Sequence, residues 1–270
     1  MNRIESIFST GRDSARKHLM PFVCGGSPTL DDTKESILAL DQAGASIIEI
    51  GIPFSDPIAD GPVIAEAMHN ALEAGVTPRS VIQAVSDIRS EVNAGLVAMT
   101  SVSIVERIGC ERFIGMLADA GFDGVIYPDA PLEEADPLVQ CASLRGLTAS
   151  LLIAPTTPLD RAGQICDRCT GFAYVLARAG ITGESGGGPS GALRERISAL
   201  RSITDLPLAV GFGISTPEHV RTVVSTHAGD ADAAIVGTAL VHRMIEAGPG
   251  HAAEAAAEFC RGLLSGLPSN

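Results

Sequence analysis

Glu49 stands in Ile47-Ile48-Glu49-Ile50-Gly51, a β-branched apolar run that reads as a strand end buried on both faces. An ionised carboxylate there costs several kcal/mol unless it is paired, and no Lys or Arg lies within eight residues along the chain. Glu49 is therefore either a structural carboxylate neutralised by a partner distant in sequence or a desolvated general acid/base with a raised pKa. The missing local partner favours the second. Asp56 and Asp60 follow in the segment Pro53 to Pro62. Aspartates in such loops ordinarily make Asx-turns or helix caps. Placed just downstream of a buried strand-end glutamate, they could instead give one site a second carboxylate with a distinct role. The pattern alone leaves Asp60 open between these roles.

A second chemistry is suggested by glycine. Gly211-Phe212-Gly213-Ile214-Ser215 and Gly237-Thr238 each end an apolar run and open a stretch with helical spacing. Backbone N–H groups at a helix N-terminus hold phosphate well. Glycine permits the close approach, and Thr238 can add a hydroxyl. A lone Gly-x-Gly is ordinarily a tight turn, so position in the fold decides its meaning. Tyr174, near the end of another apolar run, reads by itself as core.

These side chains need a scaffold, and the chain supplies one by repetition. Apolar runs occur at Met20 to Cys24, Ser46 to Gly51, Leu96 to Thr100, Gly124 to Tyr127, Thr148 to Ile153, Gly171 to Leu176, Pro207 to Val210 and Ala233 to Val236, each followed by helical spacing. Eight βα units predict a (β/α)8 TIM barrel with extra N-terminal and loop helices, spanning 1–270 as a single domain. The two glycine turns then fall after strands seven and eight, where such barrels bind phosphate. The two longest connections, Pro53 to Pro62 and Thr182 to Gly191, follow strand carboxyl ends and are candidate substrate loops. The Ala-rich stretch His251 to Leu264 reads as an amphipathic helix that closes the barrel.

Composition bounds the function. With 46% hydrophobic and 19% charged residues, the 270-residue chain can bury a large core. Nineteen Lys+Arg against 32 Asp+Glu give a net charge of −13 with no basic run, which argues against nucleic acid and anionic lipid as partners. The first eighteen positions lack the apolar core of a secretory signal, and no run is long enough to span a membrane, so a cytoplasmic protein is expected. The six cysteines then read as reduced thiols. Cys166 and Cys169 have no second pair or His at metal spacing, so no metal is expected. His18, His69, His219, His227, His242 and His251 fall mostly in helical stretches and read as solvated or satisfied helix side chains.

Taken together, the residues resemble those of the tryptophan synthase alpha subunit family, the indole-3-glycerol-phosphate lyases. The resemblance runs from Arg3-Ile4-Glu5-Ser6-Ile7-Phe8 to the eighth βα unit. Its most specific part is Ile48-Glu49-Ile50-Gly51-Ile52-Pro53-Phe54-Ser55-Asp56-Pro57-Ile58-Ala59-Asp60-Gly61-Pro62. Further matches are Arg178 to Gly183, Val210 to Ser215 and Ile235 to Val241. The resemblance implies cleavage of indole-3-glycerol phosphate to indole and D-glyceraldehyde 3-phosphate by retro-aldol acid/base chemistry in tryptophan biosynthesis. No metal or organic cofactor is implied. By the same resemblance Glu49 is the catalytic glutamate and Asp60 holds the indole N–H. Phe22 and Tyr174 line the indole pocket, while Gly183, Gly213, Gly237 and Thr238 cradle phosphate. Phe212 lies within the same substrate loop, and Thr182 belongs to the closing loop.

The implied partner is the tryptophan synthase beta subunit, in a heterotetramer, and Asp56 belongs to the face that communicates with it. Three places depart from the family pattern. Ser101-Val102-Ser103-Ile104 stands where members carry Tyr-Tyr-Asn-Pro or a near variant, Ser27 replaces an Asp, and the closing loop is richer in glycine. The first departure lies in the segment that helps dock the beta subunit. Two alternatives keep the same residues: a free-standing indole-3-glycerol-phosphate lyase of another pathway, and a catalytically weak regulatory subunit. Retention of Glu49, Asp60 and the glycine turns argues against the latter.

Overall fold

The computed structural model describes residues 2–14, 16–57, 60–177, 191–211, 213–225 and 231–268. Strands β1 (His18–Cys24), β2 (Ile47–Gly51), β3 (Gly95–Met99), β4 (Gly124–Tyr127), β5 (Thr148–Ile153), β6 (Ala173–Leu176), β7 (Leu208–Gly211) and β8 (Ala233–Val236) form the sheet. They pair in parallel in chain order, and β8 returns to β1, so the eight close into a barrel. The helices are α1 (Arg3–Asp13), α2 (Leu30–Ala43), α3 (Pro62–Glu73), α4 (Pro78–Ile88), α5 (Val102–Ile108), α6 (Cys110–Asp119), α7 (Ala135–Ser143), α8 (Leu159–Arg168), α9 (Gly191–Arg201), α10 (Pro217–Val224), α11 (Thr238–Ala247) and α12 (Ala252–Leu264). The architecture is the TIM barrel expected from the repeat, with α1 preceding it and additional helices in several connections.

The strands are β-branched and apolar on both faces because both are covered. Leu19, Val23, Ile48, Ile50, Leu96, Ala98, Val125, Leu208 and Val210 pack in the larger core with side chains of the surrounding helices. Met20, Ile47, Val97, Ile126, Tyr174, Ala209, Ala233 and Ile235 belong to a separate cluster inside the barrel. The two-residue period of a strand thus sorts every side chain, and Glu49 must share the inward direction of Ile47.

The interior cluster also contains Ile4 and Phe8, so α1 seals one end of the barrel with its apolar face. Asn2 starts this helix: its side chain accepts the Ile4 N–H at 2.8 Å, while Glu5 accepts the Asn2 N–H at 2.9 Å. The C-terminal α12 packs on α2 and α11, closing the outer ring of helices. No helix among the described residues is long and apolar enough to cross a membrane.

The expected strand positions hold, with shifted ends. The first strand begins at His18, which corrects the reading of that histidine as a helix side chain. Its N–H donates to the Asp232 carbonyl at 3.0 Å, and its buried ring stands edge-on to Phe8 with Nδ1 3.0 Å from Ser46 Oγ. Burial, then the Arg16 charge, pushes its pKa down to about 4. The sixth strand begins at Ala173 rather than Gly171, whose φ of +82° makes it a turn residue.

Candidate active site

At the strand carboxyl ends the inward direction collects Phe22 and Cys24 from β1, Glu49 and Gly51 from β2, Met99 from β3, Tyr174 from β6 and Gly211 from β7. Register sets Phe22 opposite Glu49, Cys24 opposite Gly51, and Gly51 opposite Met99. Both aromatic rings rest over glycine. A Cβ on Gly51 would lie 2.5 Å from Phe22 Cζ, and one on Gly211 would lie 2.5 Å from the Tyr174 hydroxyl. Any larger residue at either position would displace a ring from the pocket floor. Ile64, Ala67 and Met68 of α3 and Val241 of α11 join Phe22 and Cys24 in an apolar wall.

Glu49 is fully buried, and neither carboxylate oxygen has a hydrogen-bond partner among the described residues. Burial holds its pKa well above the ordinary 4.5. This is the opposite of a neutralised structural carboxylate, which would keep a cation or donors beside it. Tyr174 is also buried, and its phenol is pushed up first by burial, then by the charges of Glu49 and Asp60. That mutual influence sets the three groups around one space.

Asp60 reaches this space from the loop after β2. Its N–H donates to the Pro57 carbonyl at 3.1 Å, and Gly61 and Pro62 then begin α3. Burial pushes its carboxyl up to about 6, so at neutral pH it is mostly ionised, whereas burial holds the Glu49 carboxyl well above its ordinary range. Asp56 does something else: it is exposed and accepts the Ser55 hydroxyl at 2.6 Å, local turn chemistry.

Gly237 adjoins the same wall, since a Cβ there would lie 3.7 Å from Ile64 Cδ1 and 3.8 Å from Phe22 Cβ. It is the N-cap of α11 and has no side-chain cap bond; the Leu240 N–H donates to the Gly237 carbonyl at 2.9 Å, which leaves the Thr238 and Ala239 N–H groups at the helix start open to an anion. Gly213 has φ +78°, and a Cβ on it would meet nothing within 4 Å, so this turn has open space beside it. Thr182, Gly183 and Phe212 lie outside the described residues. The structure thus brings Phe22, Glu49, Asp60, Tyr174, Gly237 and Thr238 to one end of the barrel.

Cys24, Ile64 and Met68 do not stand out in the sequence, although they wall the pocket. The usable signal for Cys24 is alternation, which puts it on the same face as Met20 and Phe22. Its thiol is pushed up to about 12 by burial and then by the Asp60 charge. The Ser101 to Ile104 segment begins α5 instead of presenting aromatic side chains. Ser101 donates its hydroxyl to Asp129 Oδ2 at 2.6 Å, the Val102 N–H donates to Asp129 Oδ1 at 3.0 Å, and the Ser103 N–H donates to Ser101 Oγ at 3.2 Å. The clamp ties the loops after β3 and β4 together.

A family model described as tryptophan synthase alpha chain matches residues 8–263. Relatives named tryptophan synthase alpha chain include one from Cyanothece sp., 40% identical over 267 residues that cover 99% of this chain and 98% of the relative. Another, from Prochlorococcus marinus, is 44% identical over 264 residues, covering 96% and 93%. A solved chain of Mycobacterium tuberculosis tryptophan synthase is similar in fold with a TM-score of 0.89 and 30% identity, covering 100% of both chains.

Proposed function

The chain belongs to the tryptophan synthase alpha chain family and is a lyase of tryptophan biosynthesis; from that premise we propose that Glu49 and Asp60 cleave indole-3-glycerol phosphate within this pocket. The products are indole and D-glyceraldehyde 3-phosphate. The observation that carries the assignment is the fully buried Glu49 carboxyl with both oxygens unpartnered among the described residues, gathered with Phe22, Tyr174 and a second carboxylate at one end of the barrel.

The chemistry follows from the two unequal carboxyls. Glu49, uncharged, gives its proton to indole C3, and the resulting positive charge on the ring nitrogen is stabilised by the ionised Asp60 beside the N–H. Glu49, now a carboxylate, takes the proton of the side-chain hydroxyl. The oxygen pair forms the aldehyde C=O, the bond from C3 to the side chain breaks, and its pair restores the aromatic ring. Glu49 ends protonated, so the cycle is balanced without an external acid or base. Phe22 and Tyr174 hold the ring flat, and the phosphate rests on the turn at Gly213 and on Gly237 with Thr238. Thr182, Gly183 and Phe212 lie outside the described residues and enter the substrate site only through the family resemblance.

We place this reaction in the cytoplasm, in one domain over 1–270, with the tryptophan synthase beta subunit as partner in a heterotetramer. The clamp of Ser101 on Asp129 replaces aromatic docking contacts of the family pattern, and loss of such an anchor costs about 2 kcal/mol or more, roughly thirtyfold in affinity. Weak docking and a large share of activity in the isolated chain are expected. The test is indole release by the purified chain, alone and titrated with its own beta subunit. Glu49→Gln is expected to fold and bind ligand while turnover falls by about 10² to 10⁴. Release at the parent rate would remove Glu49 from the mechanism, and tight binding with strong activation would overturn weak docking.

A further inference from the structure

Four of the six cysteines are buried; Cys110 and Cys141 are the two that are partly exposed. Cys166 and Cys169 are close in sequence but not poised as a redox pair: Cys169 Sγ accepts the Leu151 N–H at 3.2 Å inside the core, and Cys166 interacts with Thr204. The partly exposed pair, thirty-one positions apart in sequence, meets in space. Cys110 opens α6 directly after Gly109, Cys141 lies in the second half of α7, and the two helices pack against each other. The thiols are within side-chain interaction distance, and both act on the Tyr127 hydroxyl, a buried group without a hydrogen-bond partner among the described residues. Both cysteines also pack at the edge of the main core, so their helices hold them in place.

We propose that Cys110 and Cys141 are a modification site: a dithiol that forms a reversible disulfide stapling α6 to α7, with a low-molecular-weight disulfide such as oxidised glutathione as the oxidant. The thiolate of one cysteine attacks one sulfur of that disulfide, forming a mixed disulfide and releasing one thiolate. The other cysteine then attacks the protein-bound sulfur, the protein S–S bond forms, and the second small thiol leaves. The two protons lost by the cysteines end on the two released thiols, and the two electrons reduce the small disulfide. The staple is independent of the lyase assignment, since neither sulfur faces the pocket.

The experiment is equilibration of the purified chain in glutathione buffers of graded ratio, an alkylating quench, and peptide mapping without reduction. The expected product in the parent is a Cys110–Cys141 cross-link that dithiothreitol reverses. With sub-millimolar reduced glutathione it should outnumber the single-site glutathione adducts roughly tenfold or more, because a facing thiol held by two packed helices has an effective concentration of at least millimolar order. Cys110→Ser and Cys141→Ser should each lose the cross-link and trap the glutathione adduct on the remaining cysteine. Circular dichroism of both variants establishes that they are folded. A parent chain that accumulates the glutathione adduct on either of the two cysteines without cross-linking, or that links Cys110 or Cys141 to any other cysteine, overturns the proposal.

Discussion

A glutamate among isoleucines is conspicuous in a sequence, and its isolation survives folding: Glu49 meets no cation and no donor among the described residues. Its raised pKa has a consequence for stability. The folded state holds the Glu49 proton more tightly than the unfolded state, so the stabilisation from that bound proton is complete below about pH 4.5 and is lost as pH rises toward the raised pKa. Glu49→Gln cannot ionise. Its Tm relative to the parent is therefore expected to climb as pH increases from about 4.5 toward the raised pKa, and a difference constant with pH would contradict the burial argument. The role proposed for Asp60 predicts an effect on rate instead. With its carboxyl at about 6, kcat/KM should fall as pH drops through that value, because the protonated form cannot stabilise a cationic ring. Asp60→Asn should be slow and lack this acid limb; a limb that persists in the variant assigns it to another group. Cys24 shows why part of the site was not legible. A thiol in Phe22-Val23-Cys24 looks like ordinary core; alternation gives its face, and the register opposite Gly51 shows that this face is the pocket.

At the level of elements, strands are readable because burial on both faces forces continuous apolar runs, and all eight fall where such runs occur. Their ends are not, because backbone pairing extends through residues of any type: His18 pairs with Ala233, and Gly211 pairs with Leu176. The glycine turns separate into two physical cases. Gly237 has φ −109° and ψ −88°, and the new methyl would make only ordinary contacts at 3.7 to 3.9 Å. Gly237→Ala is expected to fold yet bind glycerol phosphate more weakly, since the methyl occupies space beside the first turn of α11. Calorimetry with glycerol phosphate checks this, and unchanged affinity would move the phosphate elsewhere. The start of α5 gives a second measurement. Ser101→Ala removes an N-cap worth about 1 kcal/mol, and Asp129→Ala removes the group that holds it. Their urea-denaturation effects should be strongly non-additive, with a coupling of roughly 0.5 kcal/mol or more; simple additivity would mean the clamp does not operate in solution.

For the molecule as a whole, the barrel is sealed by α1 at one end and keeps its carboxyls, aromatic rings and open helix start at the other. The order of apolar runs made the closure foreseeable, but the seal by Ile4 and Phe8 was not, since a short amphipathic helix carries no sign of which surface it will cover. The placement of Tyr174 has an optical consequence. This chain has no tryptophan and two tyrosines. Excited beyond the tyrosine absorption edge, the protein is dark, and the reactant and product are the only indole chromophores present. Tyr174 lies in the pocket wall, where its emission overlaps the absorption of a ring bound beside it. Light absorbed by that phenol should therefore pass to bound indole by resonance transfer, giving sensitised indole fluorescence on binding and restored tyrosine emission on release. Tyr174→Phe should remove most of the sensitised signal, so that occupancy of the pocket becomes visible in the native chain with no dye attached.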